Sequence, residues 1–108
     1  MIFNRGDVIL IPFPYSDLTG FKKRPALILS NKNLKGKDKI CCLITSNNPK
    51  DGELILKSSL VDGRLQFKSW VKAQRIFCID ERIIIKRLAK VDNSFLGQVK
   101  NKIDYFIE

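Results

Sequence analysis

Three groups of polar residues have the types and spacing to act together on a phosphate. Arg24 stands where a polar loop enters an apolar run, and Thr45 and Ser46 end a later run. If these runs are neighbouring antiparallel strands, Arg24 lies beside the two hydroxyls. Lys72 and Gln74 alternate along a third run. A guanidinium fork suits phosphate, and hydroxyls with turn N–H groups complete an oxyanion cradle. On residue types and spacing alone, solvated edge and turn residues are the favoured interpretation, and a phosphate site is the alternative.

The chain excludes several common catalytic chemistries. It contains no histidine, so a Ser–His or Cys–His nucleophile pair is impossible. Its three cysteines are Cys41, Cys42 and Cys78, and they form no CxxC spacing. We therefore interpret them as free thiols of a reducing compartment. A structural zinc site is disfavoured for the same reason, and we expect neither a metal nor a cofactor.

The charge of the chain indicates a polyanionic partner. Twenty Lys and Arg residues against 11 Asp and Glu residues give a net charge of +9. The excess is +4 over residues 1–56 (9 bases, 5 acids) and +5 over residues 57–108 (11 bases, 6 acids), so it is not a tail. A folded basic domain points to nucleic acid or an acidic protein, with a solvated basic surface as the alternative.

The length and hydropathy predict a single domain over residues 1–108. No apolar run approaches the roughly 18 residues of a membrane span, so we expect no membrane contact. The first residues carry charge at Arg5 and Asp7 and contain no signal-peptide core. These features predict a cytoplasmic protein.

Short apolar runs separated by turn residues predict a mainly β protein with one late helix. The predicted strands are Asp7–Tyr15, Arg24–Ser30, Lys39–Thr45, Glu53–Lys57, Trp70–Asp80 and a last one within Ile83–Val91. Ser58–Arg64 is expected to be a loop, and Ser16–Lys23 a long hairpin connection. A helix is predicted over Asn93–Ile107, capped by Asp92. Together these elements favour a small, partly open antiparallel barrel.

If the fifth predicted strand is regular, successive side chains point alternately to its two faces. One face would carry Val71, Ala73, Arg75 and Phe77, and the other Lys72, Gln74, Ile76 and Cys78. In the first strand, Pro12 and Pro14 cannot donate to a ladder, so the strand should fray or lie at an edge there.

Three segments resemble the signatures of the PemK/MazF toxin family. The stretch Arg5–Ser30, RGDVILIPFPYSDLTGFKKRPALILS, is similar to the N-terminal signature of the PemK-like branch, with its PFP-[FY]-[ST]-D-L-[ST]-G loop and K-x-RPA-L-x-L-S continuation. Ile44–Asn47, ITSN, resembles the second signature, and Ser69–Asp80, SWVKAQRIFCID, resembles the third. The resemblance extends from Arg5 to Ile107, with the signatures in the family's order.

The resemblance implies a fold and an activity. It implies an SH3-like barrel with a C-terminal helix, forming a homodimer. It also implies the toxin of a type II toxin–antitoxin system, a metal-independent endoribonuclease that cuts single-stranded RNA. The ribose 2′-OH would attack the adjacent phosphate and leave a 2′,3′-cyclic phosphate and a 5′-OH. The partner would be a cognate antitoxin whose acidic, initially disordered tail docks in the basic RNA groove.

The resemblance also implies roles for individual residues. Arg24 matches the family's catalytic arginine and Thr45 its catalytic threonine, and Ser46 would help to hold the phosphate. The loop Tyr15–Lys23 would flank the RNA channel. Because a guanidinium stays protonated in proteins, charge stabilisation by Arg24 is the better-founded role. The residues expected to bind RNA are Tyr15, Ser16, Asp17, Lys22, Lys23, Asn47, Lys72 and Gln74.

The chain departs from the family pattern at three positions. Gln74 stands where aspartate is frequent, Lys72 where arginine is common, and Ala89 where a glycine is expected. The first two departures motivate an alternative, a catalytically weak or inactive module that binds RNA or antitoxin. A toxin of the same fold acting on gyrase is a further alternative, and the presence of Arg24 and Thr45 argues against it.

Overall fold

The computed structural model describes residues 2–14 and 20–108. In these residues seven strands and one α-helix follow one another along the chain. The strands are β1 Asp7–Pro14, β2 Phe21–Ile28, β3 Asp38–Thr45, β4 Gly52–Leu54, β5 Leu60–Gly63, β6 Trp70–Asp80 and β7 Lys86–Val91, and the helix is α1 Asn93–Ile107. Single 3₁₀ turns lie at Lys57–Ser59 and Glu81–Ile83.

The seven strands form one antiparallel sheet that does not close. Their order is β4-β6-β3-β2-β1-β7-β5, and every neighbouring pair is antiparallel. The mainly β, partly open antiparallel architecture with a C-terminal helix is thereby confirmed. The predicted loop Ser58–Arg64 is wrong, because Leu60–Gly63 pairs with β7. The predicted strand Glu53–Lys57 is shorter than expected and ends at Leu54.

β1 and β2 form the predicted hairpin, but the predicted connection Ser16–Lys23 is wrong for Phe21–Lys23, because these residues pair with β1 as the start of β2. The prolines of β1 lie where its second neighbour, β7, has ended. Pro12 pairs with Lys23, whereas the pairing of β1 with β7 stops at Leu10. The Leu10 carbonyl accepts from the Ile85 N–H at 2.8 Å, so Leu10 and Pro12, two residues later, both present their backbone to the β7 side. The missing proline N–H therefore removes no ladder bond.

The helix covers one face of the sheet. The Asp92 carboxylate accepts from the Phe95 N–H at 2.8 Å, which confirms the predicted N-cap. Three buried residues of α1 pack against the strands: Phe95, Leu96 and Val99. With Val8, Leu27, Cys42, Ile44, Val71 and Val91 they form the larger apolar cluster, which we call the helix-side core.

A second apolar cluster fills the opposite face, where the sheet curls on itself. Its buried members are Phe3, Ile9, Ile11, Ala26, Ile28 and Cys41, and we call it the curl core. The rings of Phe13 on β1 and Phe77 on β6 meet edge to face, with centroids 5.6 Å apart. Because β2 and β3 lie between β1 and β6, a flat sheet would hold these rings more than about 10 Å apart.

A bulge in β6 inverts its side-chain alternation. Leu43 of β3 pairs with Lys72, but the adjacent Cys42 pairs with Ile76. The three intervening residues, Ala73–Arg75, have no partner in β3, and an odd insertion exchanges the two faces of a strand. Val71 consequently packs in the helix-side core and Phe77 against the curl core. The prediction that Val71 and Phe77 share a face is wrong for this reason.

Candidate functional site

The register of β2 and β3, extended beyond their last pair, sets Arg24 across from Thr45. The last paired residues are Ala26 and Leu43, and continuing that register by two residues places Arg24 across from Thr45. On its other side Arg24 pairs with Ile11 of β1. Side chains of directly opposed residues lie on one face, here the face of the curl core. Both Arg24 and Thr45 are half-buried at the rim of that face.

The turn after β3 fixes the threonine hydroxyl. Thr45 Oγ1 accepts a hydrogen bond from the Asn47 backbone N–H at 3.1 Å. A hydroxyl that has accepted one bond retains its own O–H donor. Ser46 and Asn47 are exposed in this turn. The turn thus presents two hydroxyl donors, those of Thr45 and Ser46, at the end of β3 beside the predicted position of the guanidinium.

β2 and β6 add two further cations to the same face. Lys22 lies two residues before Arg24 on β2, and Lys72 of β6 pairs with Leu43, two residues before Thr45. A two-residue step along a strand returns to the same face. Lys22 is exposed and Lys72 is half-buried. Lys22, Arg24, Thr45 and Lys72 therefore share one face of the sheet.

The other predicted RNA-binding residues have different placements. Lys23 pairs with Pro12, and its side chain lies on the face of β2 opposite to the face that carries Arg24. Gln74 is exposed within the β6 bulge, and Asn47 lies in the turn after β3. Tyr15, Ser16 and Asp17 lie outside the described residues.

Trp70 lies beside the candidate site, although its sequence position did not single it out. It is half-buried and pairs directly with Thr45 across β3 and β6. The Lys68 ammonium lies 5.7 Å from the centre of its ring. Its position depends on strand register, and the only sequence signal was an aromatic residue at a predicted strand start. An indole here offers a flat surface next to the hydroxyls.

The cysteines contribute no nucleophile on this face. Burial raises the pKa of both the Cys41 and Cys42 thiols to about 12, and for Cys41 the neighbouring Cys42 adds to the effect of burial. Since a thiolate is the reactive form, these two side chains are inert near neutral pH. Cys78 is exposed on β6.

At the far end of β6, a carboxylate and a guanidinium form a local pair. The Arg82 guanidinium donates to Asp80 at 2.6 Å and, with the Arg82 backbone N–H, lowers the pKa of this carboxyl to about 2. Within the residues that the structure describes, no three His, Cys, Asp or Glu side chains are grouped so that they could hold a metal ion. The helix among those residues is not long and apolar enough to cross a bilayer.

Comparison with protein families assigns the chain. Residues 4–107 match the family described as PemK-like, MazF-like toxin of type II toxin–antitoxin system. The chain belongs to this PemK/MazF toxin family. A comparison with curated proteins found no match.

Solved structures with the same fold include other PemK/MazF toxins. The MazE–MazF complex of Deinococcus radiodurans is similar at a TM-score of 0.72 and 19% identity, covering 99% of this chain and 96% of that one. A mycobacterial endoribonuclease in complex with its cognate antitoxin gives 0.71 and 19%, covering 95% and 90%. Mycobacterium tuberculosis toxin MazF-mt6 gives 0.66 and 15%, covering 90% and 93%. At these identities the likeness shows a shared fold.

Proposed function

We propose that this toxin is an endoribonuclease that cuts single-stranded RNA without a metal. The observation that carries the proposal is the antiparallel register of β2 and β3, which, extended two residues beyond the Ala26–Leu43 pair, sets Arg24 across from Thr45 in a chain of the PemK/MazF toxin family. One of the structurally similar proteins is itself an endoribonuclease bound to its antitoxin. The face with Arg24 also carries Lys22 and Lys72, so a polyanion has a cationic path to the site.

The proposed reaction is an internal transfer at phosphorus. The ribose 2′-hydroxyl gives up its proton to water as its oxygen forms a bond to the adjacent phosphorus, the bond from phosphorus to the 5′-oxygen breaks, and the leaving oxygen takes up a proton from water. The products are a 2′,3′-cyclic phosphate and a 5′-OH. DNA has no 2′-OH, so the reaction is restricted to RNA.

Arg24, Thr45 and Ser46 stabilise the charge that develops on the non-bridging phosphate oxygens. The guanidinium contributes a permanent positive charge and paired donors. The Thr45 hydroxyl is already oriented by the Asn47 N–H, so little reorganisation is needed when it donates. Ser46 adds a second hydroxyl. Trp70, beside Thr45, is positioned to stack on a base next to the cleaved bond.

The proposal extends to partners and location. A cognate antitoxin with an acidic tail would compete for the same cationic face, which the net charge of +9 favours. One chain of a solved MazE–MazF complex has the same fold as this chain. We also propose that the toxin acts in the cytoplasm as a homodimer of one-domain subunits spanning residues 1–108.

The first test is RNA cleavage by the purified toxin in EDTA. We expect products with a 5′-OH and a 2′,3′-cyclic phosphate, and no cutting when the nucleotide before the cut carries a 2′-deoxyribose. Thr45→Val removes the hydroxyl at constant shape and should slow cutting by about 10²–10³-fold, whereas Thr45→Ser should retain most activity. Equal rates for the two variants would contradict the role of Thr45.

The same assay distinguishes the proposed endoribonuclease from the alternative, an inactive module that binds RNA or antitoxin, which the departures at Lys72 and Gln74 suggest. In that alternative, cleavable and 2′-deoxy RNA bind equally tightly and no product forms during long incubation. Products ending in a 5′-phosphate would instead point to a different mechanism, with water as nucleophile, and would contradict the proposed internal transfer.

A further inference from the structure

A cationic cavity lies at the opposite end of β2 and β3 from Arg24. Its volume is about 380 Å³, within the range of small-molecule sites. Four cationic side chains line it: Arg5, Lys32, Lys39 and Lys90. Among the residues that the structure describes, none of those lining the cavity is acidic.

The cavity is separate from the proposed RNA site. Ser30, in its wall, follows the end of β2, six residues after Arg24 and therefore about 20 Å along the chain. Lys39 likewise lies at the start of β3, whereas Thr45 is its last residue. The fully buried Ile28 and Cys41 of the curl core lie between the two ends of this face. This part of the core therefore separates the cavity from Arg24.

The backbone around the cavity is held in place before any ligand arrives. Gly6 has a φ of +93° and donates its N–H to the Ile28 carbonyl at 2.9 Å. Its own carbonyl accepts from the Val91 N–H at 3.0 Å, which ties the segment bearing Arg5 to the ends of β2 and β7. On the other side, Ser30 Oγ accepts from the Ile40 N–H at 3.0 Å.

Little negative charge balances the four cations. The Lys39 ammonium lies 3.8 Å from the Glu81 carboxylate, outside the lining. Asp7 pairs with Lys90 through the backbone. Its carboxylate accepts a hydrogen bond from the Asn4 N–H at 2.8 Å and lies 3.6 Å from the Arg87 guanidinium. Neither acid contributes to the wall of the cavity. Like charges in a concave site attract a multivalent anion.

We propose that this cavity binds a pyrophosphate group, supplied by inorganic pyrophosphate or by a nucleoside diphosphate. One guanidinium and three ammonium groups can bind several oxygens at once, so they suit a compact anion with several phosphate oxygens better than they suit an anion with one carboxylate. Phe3, the aromatic residue of the wall, is only 7% exposed, so the site offers little surface for stacking a base. The phosphates supply the binding, and the proposal does not depend on ribonuclease activity.

The test is calorimetric titration of the full-length toxin with inorganic pyrophosphate, ADP and AMP at constant ionic strength. We expect saturable binding of one equivalent per chain, similar for pyrophosphate and ADP and at least about tenfold weaker for AMP, a difference of about 1.4 kcal/mol. A clear preference of ADP over pyrophosphate would show that the nucleoside is recognised and would overturn the assignment to the phosphates alone.

Two double variants with equal charge loss locate the site. Lys32→Gln with Lys90→Gln removes two lining ammonium groups and should weaken pyrophosphate binding at least about tenfold. Lys35→Gln with Lys37→Gln removes two exposed charges outside the lining and should leave affinity within about twofold. RNA cleavage by both should equal that of the unmodified toxin.

Three results would overturn the proposal. Absence of saturable binding shows that the cavity is not a pyrophosphate site. Equal weakening by the two double variants shows diffuse attraction to a basic protein. Loss of pyrophosphate binding in Arg24→Ala, or its displacement by single-stranded RNA, places the anion at the RNA site instead. Circular dichroism of each variant verifies that it is folded.

Discussion

In the proposed reaction Arg24 and Thr45 make different demands on their surroundings, which the strand register and the turn after β3 meet respectively. A guanidinium needs only to be held beside the phosphate, because its charge is permanent. A hydroxyl must also be turned correctly, and the Asn47 N–H achieves this for Thr45 at 3.1 Å. At the scale of single residues, the proposed site is a fixed charge and an oriented hydroxyl dipole on neighbouring strands.

Thiol reactivity is a residue-scale prediction that follows from burial. At pH 8 only the exposed Cys78 should react with a thiol reagent in the folded toxin. Cys41 and Cys42 are shielded and have pKa values raised to about 12, so their thiolates form only well above that pH. Mass spectrometry should show one adduct per native chain and three after denaturation. Two or more rapid adducts on the native protein would contradict the burial of this pair.

At the scale of elements, the sequence predicted what its local patterns encode. The helix Asn93–Ile107 was predicted with its observed bounds, because Asp92 is a cap and the apolar residues recur at helical spacing. The bounds of β6, Trp70–Asp80, were also predicted. The bulge at Ala73–Arg75 was not predicted: apolar and polar residues stop alternating at Gln74 and Arg75, but only the pairing with β3 shows that this break is an insertion.

The existence of β5 and the position of Trp70 also depend on pairing with other strands, which local sequence patterns do not reveal. Leu60–Gly63 has too few alternating residues to signal a strand, and its pairing with β7 stabilises it. The opposition of Arg24 and Thr45 was predicted conditionally, on the assumption that β2 and β3 are antiparallel neighbours, and that assumption is confirmed. Trp70 joined the site only through register.

The N-cap of α1 gives a prediction at this scale. Asp92→Ala removes the acceptor of the Phe95 N–H and should lower the free energy of unfolding by about 1 kcal/mol. Asp104→Ala is the control, since it removes only the exposed pair with Lys100 and should cost a few tenths of a kcal/mol. Urea denaturation measures both. Equal losses would show that the cap bond does not stabilise the helix.

At the scale of the whole molecule, the net charge of +9 is distributed on a curled sheet with two cationic regions. One is the face with Arg24, Lys22 and Lys72, and the other is the cavity at the opposite end. Composition alone indicated a polyanionic partner. It could not separate these regions, because the separation depends on which end of β2 and β3 each cation lies at in the folded sheet.

RNA affinity should therefore depend steeply on salt. For a non-cleavable 2′-deoxy analogue, log Kd should rise linearly with log salt concentration, with a slope of about 0.7 for each phosphate neutralised. If Lys22 and Lys72 each contact a phosphate, Lys22→Gln and Lys72→Gln should each lower the slope by about 0.7. Fluorescence anisotropy measures the slope, and Lys100→Gln on the polar side of α1 is the control. An unchanged slope in both site variants would remove these lysines from the RNA path.

The central claim is that the guanidinium of Arg24 stabilises the transition state of RNA cleavage. It is tested by single-turnover cleavage of saturating single-stranded RNA by Arg24→Ala, compared with Arg82→Ala, which removes an exposed guanidinium at the far end of β6. The expected rate is about 10²–10³-fold lower for Arg24→Ala and within about twofold of the unmodified toxin for Arg82→Ala. An Arg24→Ala protein that is folded and cuts at the unmodified rate would contradict it.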